Sequence, residues 1–233
     1  MAEHRIFPHG PLEQLGPGVW QVRGGLPMPI TRNMVVVRLA NGDLFIHSAV
    51  ALNDRGFAEL ERAGRPRWVV VPSLGHQMDA PFYKERYPEA AILAPAAIAD
   101  AVASKVEIAG SVEEQLPKLG IGLHLVPGLK TVEYVYEVGL TGGGRMLIVN
   151  DALGHGKLGA DGLVGSLFNL AGTPGGRVDV PRLFRMAFTS DVAAVRGFFA
   201  KLGGLPGLKL LTVSHGLPVR DDVAGRLRAM APA

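Results

Sequence analysis

Short, almost wholly apolar runs constrain this chain more than any other feature: WVVVPS, AAILAP, RMLIVND and LLTVSHG each stop at a proline or a polar residue. Runs of this length, rich in Val, Ile and Leu, read as strands covered on both faces. Between them lie segments with helical spacing. In DVAAVRGFFAKL, Val192, Val195, Phe199 and Leu202 fall on one face, with Ser190 as the expected N-cap and Gly203 as the stop. Alternating strands and helices make the fold class α/β, a layered sandwich.

The first third reads as a β-meander. GVWQVRG is followed by two β-branched runs, 34–39 and 43–47, broken at Asn41-Gly42. That pair predicts an antiparallel hairpin with a type I′ turn, since both residues tolerate positive φ. Asn53 or Asp54 then caps a helix that buries Phe57 and Leu60 and closes at Gly64. After WVVVPS comes a loop and a short helix, with Asp79 at its start, Pro81 in its first turn and Pro88 beyond its end. PAAIADAVA is a further helix. In the second half GLHLVPG, TVEYVYEVG and RMLIVND are strands, the last two joined by the turn at Gly142, Gly143 and Gly144. TVEYVYEV alternates Val132, Tyr134, Tyr136 and Val138 against Glu133, Val135 and Glu137, which suits a strand with one face wetter than the other. KLLTVSHG is the last strand, and Asp221 or Asp222 begins the terminal helix.

Composition bounds the function classes. With 233 residues and 48% apolar side chains the chain can bury a substantial core, and a single domain over 1–233 is expected. A net charge of +3, with basic residues scattered singly, argues against a nucleic-acid partner. The absence of cysteine removes disulfides, thiolate metal sites and cysteine nucleophiles together, and fits a reducing, cytoplasmic setting. The start MAEHRIFPHG lacks the apolar core of a signal peptide, and no stretch reaches the roughly 18 apolar residues of a membrane span, so no membrane partner is expected. Edge strands in the meanders suit a homodimer.

Of seven histidines, four fall where a strand gives way to a loop: His47 after LFI, His76 after WVVVPSLG, His155 after MLIVND and His215 after LLTVS. Side chains at the carboxyl ends of strands in open α/β sheets face the crevice where ligands bind. Other motifs are weak. The three glycines from Gly142 lack the Lys and Ser/Thr of a phosphate loop. Gly154-His155-Gly156 reads as a flexible loop. Ser214 and His215 point to opposite faces of a strand, so a serine hydrolase built on them is discounted.

The order of these elements resembles the metallo-β-lactamase superfamily along nearly the whole chain, which implies an αββα four-layer sandwich. GVWQVRGG is similar to the family's opening strand. ANGDLFIHSAV is similar to the strand that usually ends in aspartate, with His47 in the aspartate's place. HLVPGLKT resembles the segment usually reading Pro-Gly-His-Thr, with Leu129 at the histidine. RMLIVNDAL resembles the strand leading to the bridging aspartate, Asp151, and LLTVSHGLPV the last histidine motif, His215. The first metal motif, His-x-His-x-Asp-His, falls on Pro72 to Gln77, so that Leu74 replaces a histidine, His76 stands at the aspartate and Gln77 at the last histidine. A register shifted by one residue is the alternative. The loop is closer to a branch of the superfamily that reads Pro-Asn-x-x-His-His and has no agreed activity, and AGTPGGRVDVPRLFRMAFTSDVAAVRGFFAKL is also similar to that branch.

With the ligands of the first metal position replaced, the family's two-metal arrangement is not expected. His76, Asp151 and His215 remain as ligands for one zinc or iron ion, with His47, Gln77 and His155 as additional ligands or outer partners. The implied activity is hydrolysis of an ester, amide or phosphoester by an activated water. The alternative is a metal-free, non-catalytic descendant that binds a small ligand or a protein. The segment 157–185, with Phe168, Phe184, Arg177, Arg182 and Arg185, is expected to cover the mouth of the site; its arginines read either as a solvated helix face beside a core-facing aromatic pair or as holders of an anionic group.

Overall fold

A computed structural model describes residues 5–156, 169, 172–173 and 177–232. Most of the segment expected to cover the site, including Phe168, lies outside the described residues. Two compact units account for the chain: Met1–Pro27 with Asn33–Leu119, and Met28–Arg32 with Gly120–Ala233. Among the described residues there are two sheets and seven α-helices, and no helix long and apolar enough to cross a membrane.

The first unit is built on a seven-stranded sheet in sequence order, β1 (Glu13–Gly16), β2 (Val19–Gly25), β3 (Thr31–Arg38), β4 (Asp43–His47), β5 (Arg65–Val70), β6 (Ala91–Ala94) and β7 (Gly110–Ser111). The β3–β4 pair is antiparallel, with Val35 opposite His47 and Arg38 opposite Leu44, as the hairpin signal predicts. Its turn differs from the expected type I′. Gly42 has φ +84°, whereas Asn41 keeps a negative φ, and the Leu39 N–H bonds to Asp43 O at 2.8 Å. The loop is therefore three residues long, a type I turn followed by one left-handed glycine. Asn41 instead serves as an acceptor, its Oδ1 taking the Asp43 N–H at 3.0 Å.

From β4 onward the strands are parallel. β5 starts at Arg65, three residues before the apolar run. The crossover helix α1 (Asp54–Ala63) is capped by Asn53, whose side chain accepts from Gly56 N–H at 2.8 Å, and it buries Phe57 and Leu60. Phe57 meets Tyr83 and Phe82 with ring centroids 5.6 Å apart in each case, both from α2 (Ala80–Arg86). Burying the Phe57 ring fully is worth about 1.5–3 kcal/mol. PAAIADAVA forms a 3₁₀ turn followed by the short α3 (Ala99–Ala103), and α4 (Val112–Gln115) starts at the Ser111 cap.

The second unit carries β8 (Gly122–Leu125), β9 (Tyr134–Gly139), β10 (Arg145–His155), β11 (Val178–Asp179) and β12 (Leu208–Gly216), with β10 at the centre. β9 pairs with β10 antiparallel through the glycine turn, and β12 pairs with β10 in parallel. β10 runs on through His155, which is a strand residue and not part of a flexible loop. Helices α5 (Arg182–Phe188), α6 (Val192–Leu202) and α7 (Val223–Arg228) complete the unit. Val195, Phe199 and Leu202 of α6 pack with Leu147, Val149, Leu211 and Val213 in its core. The cap of α6 is Asp191, not Ser190: Asp191 Oδ1 accepts from Ala194 N–H at 2.9 Å, while Ser190 Oγ donates to Gly128 O. Asp222, at φ +43°, caps α7.

Candidate functional site

In the first unit His47 and His76 lie at the carboxyl end of β4 and beyond that of β5. His47 is the last residue of β4 and is buried. His76 closes a 3₁₀ turn, Leu74–His76, and is buried as well, while Leu74 on the same turn is 47% exposed. The His76 Nδ1 atom lies 2.6 Å from Ser48 Oγ. Ser48 follows β4 directly, is fully buried and has φ +57°, a conformation that costs a non-glycine residue about 1–2 kcal/mol. Because Nδ1 is engaged, the chemistry of His76 falls to Nε2. Asp79 fixes the loop from the other side, its carboxylate accepting the Ala51 N–H at 2.8 Å. Gln77 Oε1 is buried without a hydrogen-bond partner among the described residues. An orphaned buried amide oxygen is costly, and a cation would satisfy it.

In the second unit Asp151 and His215 are brought together. His215 Nδ1 donates to Thr31 O at 2.6 Å, which turns Nε2 toward Asp151 Oδ1 at 3.2 Å. Asn150 donates to Asp151 Oδ2 at 2.8 Å and accepts from Ser214 Oγ at 2.7 Å, so the carboxylate has one oxygen held and one presented. Ser214 and His215 do diverge, as their strand positions require. Burial alone would depress the His215 pKa, but the Asp151 carboxylate and the Thr31 carbonyl outweigh it, and the net shift is upward. Two ligands at about 2.1 Å from one tetrahedral ion lie about 3.4 Å apart, so the Asp151–His215 spacing suits a shared ion. A ligand histidine whose far nitrogen donates to a carbonyl is the usual outer-partner arrangement. The donor set fits zinc or iron. His155, at the end of β10, donates from Nδ1 to Leu217 O at 2.9 Å.

Glu133 is a residue beside Asp151 that the sequence pattern does not single out. It is only 2% exposed, and its carboxyl group accepts from the N–H groups of Asn150 at 3.1 Å and Ala152 at 3.0 Å, the two neighbours of Asp151. Burial, and then the negative charge of Asp151, push its pKa up against the pull of those donors.

Neither a protein-family model nor a curated protein matches the chain. Solved structures do. A metallo-β-lactamase from Erythrobacter litoralis with β-mercaptoethanol in its active site is similar over 94% of each chain, at 16% identity and a TM-score of 0.61. FIM-1 from Pseudomonas aeruginosa, solved in a mono-zinc form, is similar over 96% of this chain and 98% of its own, at 13% identity and a TM-score of 0.60. A metallo-β-lactamase from Hirschia baltica is covered completely and matches 96% of this chain, at 14% identity and a TM-score of 0.55. With two sheets, seven helices among the described residues and likeness along almost its whole length, the chain has the metallo-β-lactamase fold.

Proposed function

We propose that the protein is a single-metal hydrolase, with His76, Asp151 and His215 holding one zinc or iron ion and an ester, amide or phosphoester as substrate. The observation that carries this reading is the Asp151–His215 pair, 3.2 Å apart and oriented from behind by Thr31 and Asn150. When bound, such an ion supplies a water of near-neutral pKa and a Lewis acid for the scissile group. The residues around it do the positioning: Thr31 leaves His215 only Nε2 to offer, Ser48 engages Nδ1 of His76, and Gln77 contributes a buried oxygen that has no hydrogen-bond partner among the described residues.

A metal-free binding protein is the second reading, favoured by the loss of histidine at Leu74 and Leu129. Metal analysis of chelator-free protein distinguishes the two. About one equivalent of zinc, iron or manganese is expected after reloading, and less than about a tenth would refute the hydrolase reading. At a hundredfold excess of zinc over its Kd the folded state gains about 2.7 kcal/mol. For a chain of this size that raises Tm by roughly 5–10 °C. Hydrolysis of p-nitrophenyl acetate, p-nitrophenyl phosphate and bis-p-nitrophenyl phosphate by the reloaded protein then sorts the substrate class.

A further inference from the structure

We infer that Glu133 is the positioning residue of Asp151: its carboxylate replaces the missing sheet partners of the strand on both sides of that aspartate. The inference rests on the metal-site reading for its affinity readout only. The β9–β10 ladder ends at Tyr136 opposite Ile148, so the residues after Ile148 lack β9 as a partner. On the other side, the β10–β12 ladder breaks between Val149 and Gly154, where four residues of β10 stand against the single Ser214 of β12. A bulge of that size leaves backbone N–H groups to be satisfied by something other than a strand. Glu133, immediately before β9, does this with Oε1 on the N–H groups of Asn150 and Ala152 and Oε2 also on Ala152.

Those two residues bracket Asp151, so the Glu133 carboxylate fixes the backbone on either side of it. Asn150, anchored in this way, carries the side-chain amide that holds Asp151 Oδ2. Asp151 Oδ1 is thereby left facing His215 Nε2. A buried acid is an expensive way to stabilise a bulge, because an uncharged acceptor would avoid the desolvation. What the side chain provides is one oxygen, Oε1, with the reach to serve both N–H groups, while Oε2 adds a second contact to Ala152.

The test compares Glu133→Ala, Glu133→Gln and Glu133→Asp with the wild-type protein, by competitive zinc titration and by crystal structures of the metal-free proteins. Glu133→Ala is expected to weaken zinc binding about 10- to 100-fold, the usual consequence of losing an outer partner. Glu133→Gln retains an oxygen in the same place and is expected to restore most of the affinity, a rescue that a purely charge-based role would not show. Glu133→Asp keeps the carboxyl group but withdraws its oxygens, and serves in place of the alanine protein if that fails to fold. Its affinity is expected to fall with that of Glu133→Ala. Wild-type affinity in the alanine and aspartate proteins, or no rescue by glutamine, would overturn the inference. Should the wild-type protein bind no zinc, the metal reading fails by itself, and the metal-free crystals decide the positioning role. The 3.2 Å Asp151–His215 contact is expected to open in the alanine or aspartate protein, and its persistence there would refute the role of Glu133.

Discussion

Gly216 closes β12 directly after His215, and replacing it with alanine isolates the cost of disturbing that end of the sheet. Its φ is +121°, so any side chain is strained there by about 1–3 kcal/mol. A Cβ at Gly216 would also lie 2.1 Å from the carbonyl oxygen of His155, its neighbour across the β10–β12 ladder. That carbonyl is not free to retreat, because it accepts the Leu217 N–H at 2.9 Å, a bond worth about 0.5–1.5 kcal/mol. Together these give a loss of about 2–4 kcal/mol. Gly142 is the control: its φ is +89°, but a Cβ there meets nothing within 4 Å, so Gly142→Ala pays the conformational cost alone, about 1–2 kcal/mol. Urea unfolding of both variants measures the difference, with the transition midpoint moving and the slope held. Zinc affinity should fall in Gly216→Ala, where His215 is displaced, and hold in Gly142→Ala. Equal destabilisation of the two proteins would refute the steric account.

Two further outcomes follow from the buried groups. The pKa of His215 is raised in the folded state, so the stability from its pairing with Asp151 is fully present below the unfolded value of about 6.5 and is lost as pH rises through the higher folded value. Glu133, pushed up to about 8, works in the same direction, because the folded state holds a proton that the unfolded chain releases. Metal-free protein should therefore unfold at lower urea at about pH 8.5 than at about pH 6, by about 2–3 kcal/mol, and a rise in stability over that interval would contradict the assignment. Ser48→Ala should cost about 1–3 kcal/mol by leaving His76 Nδ1 without its buried partner. Ser48→Gly loses the same contact but relieves the positive φ, so it should be the milder change by about 1 kcal/mol in thermal melts.

Most strands and helices were legible because apolar runs and caps are local signals. Asn53 caps α1 because an Asx side chain reaches the third N–H beyond it, and that geometry needs nothing else from the fold. Ser190 and Asp191 both meet that rule. Asp191 is the cap because the Ser190 hydroxyl and N–H are drawn to the Gly128 carbonyl, a partner 62 positions away. Glu133 escaped for a related reason: alternation assigns faces only within a strand, and β9 begins one residue later. Nothing near Glu133 in sequence reveals that the β10 ladder breaks beside Asp151, and the break is what draws the carboxylate inward. The fold class needed only periodicity, whereas the site depended on pairings made far along the chain.

Leu129, where the resemblance would set a histidine, is held by packing and by its backbone. The segment around it is pinned to the start of α6: Leu129 bridges Thr189, Lys130 N–H bonds to Phe188 O, and the Gly128 carbonyl takes both Ser190 and Asp191 N–H groups. Gly128 itself has no room for a side chain, since a Cβ would sit 2.5 Å from Asp191 O, so this backbone cannot shift to re-aim its neighbour. The Leu129 side chain packs on the core cluster that includes Val126, Phe184 and Val195. Leucine here is thus part of the packing that seats α5 and α6. A histidine here would withdraw apolar surface and place a polar ring against that cluster, at about 1–3 kcal/mol. Leu129→His is therefore expected to lower stability without increasing the zinc bound per chain. Metal analysis of the variant beside the wild type checks this, and a gain of a full equivalent would mean that the ligand position survives with its packing role incidental.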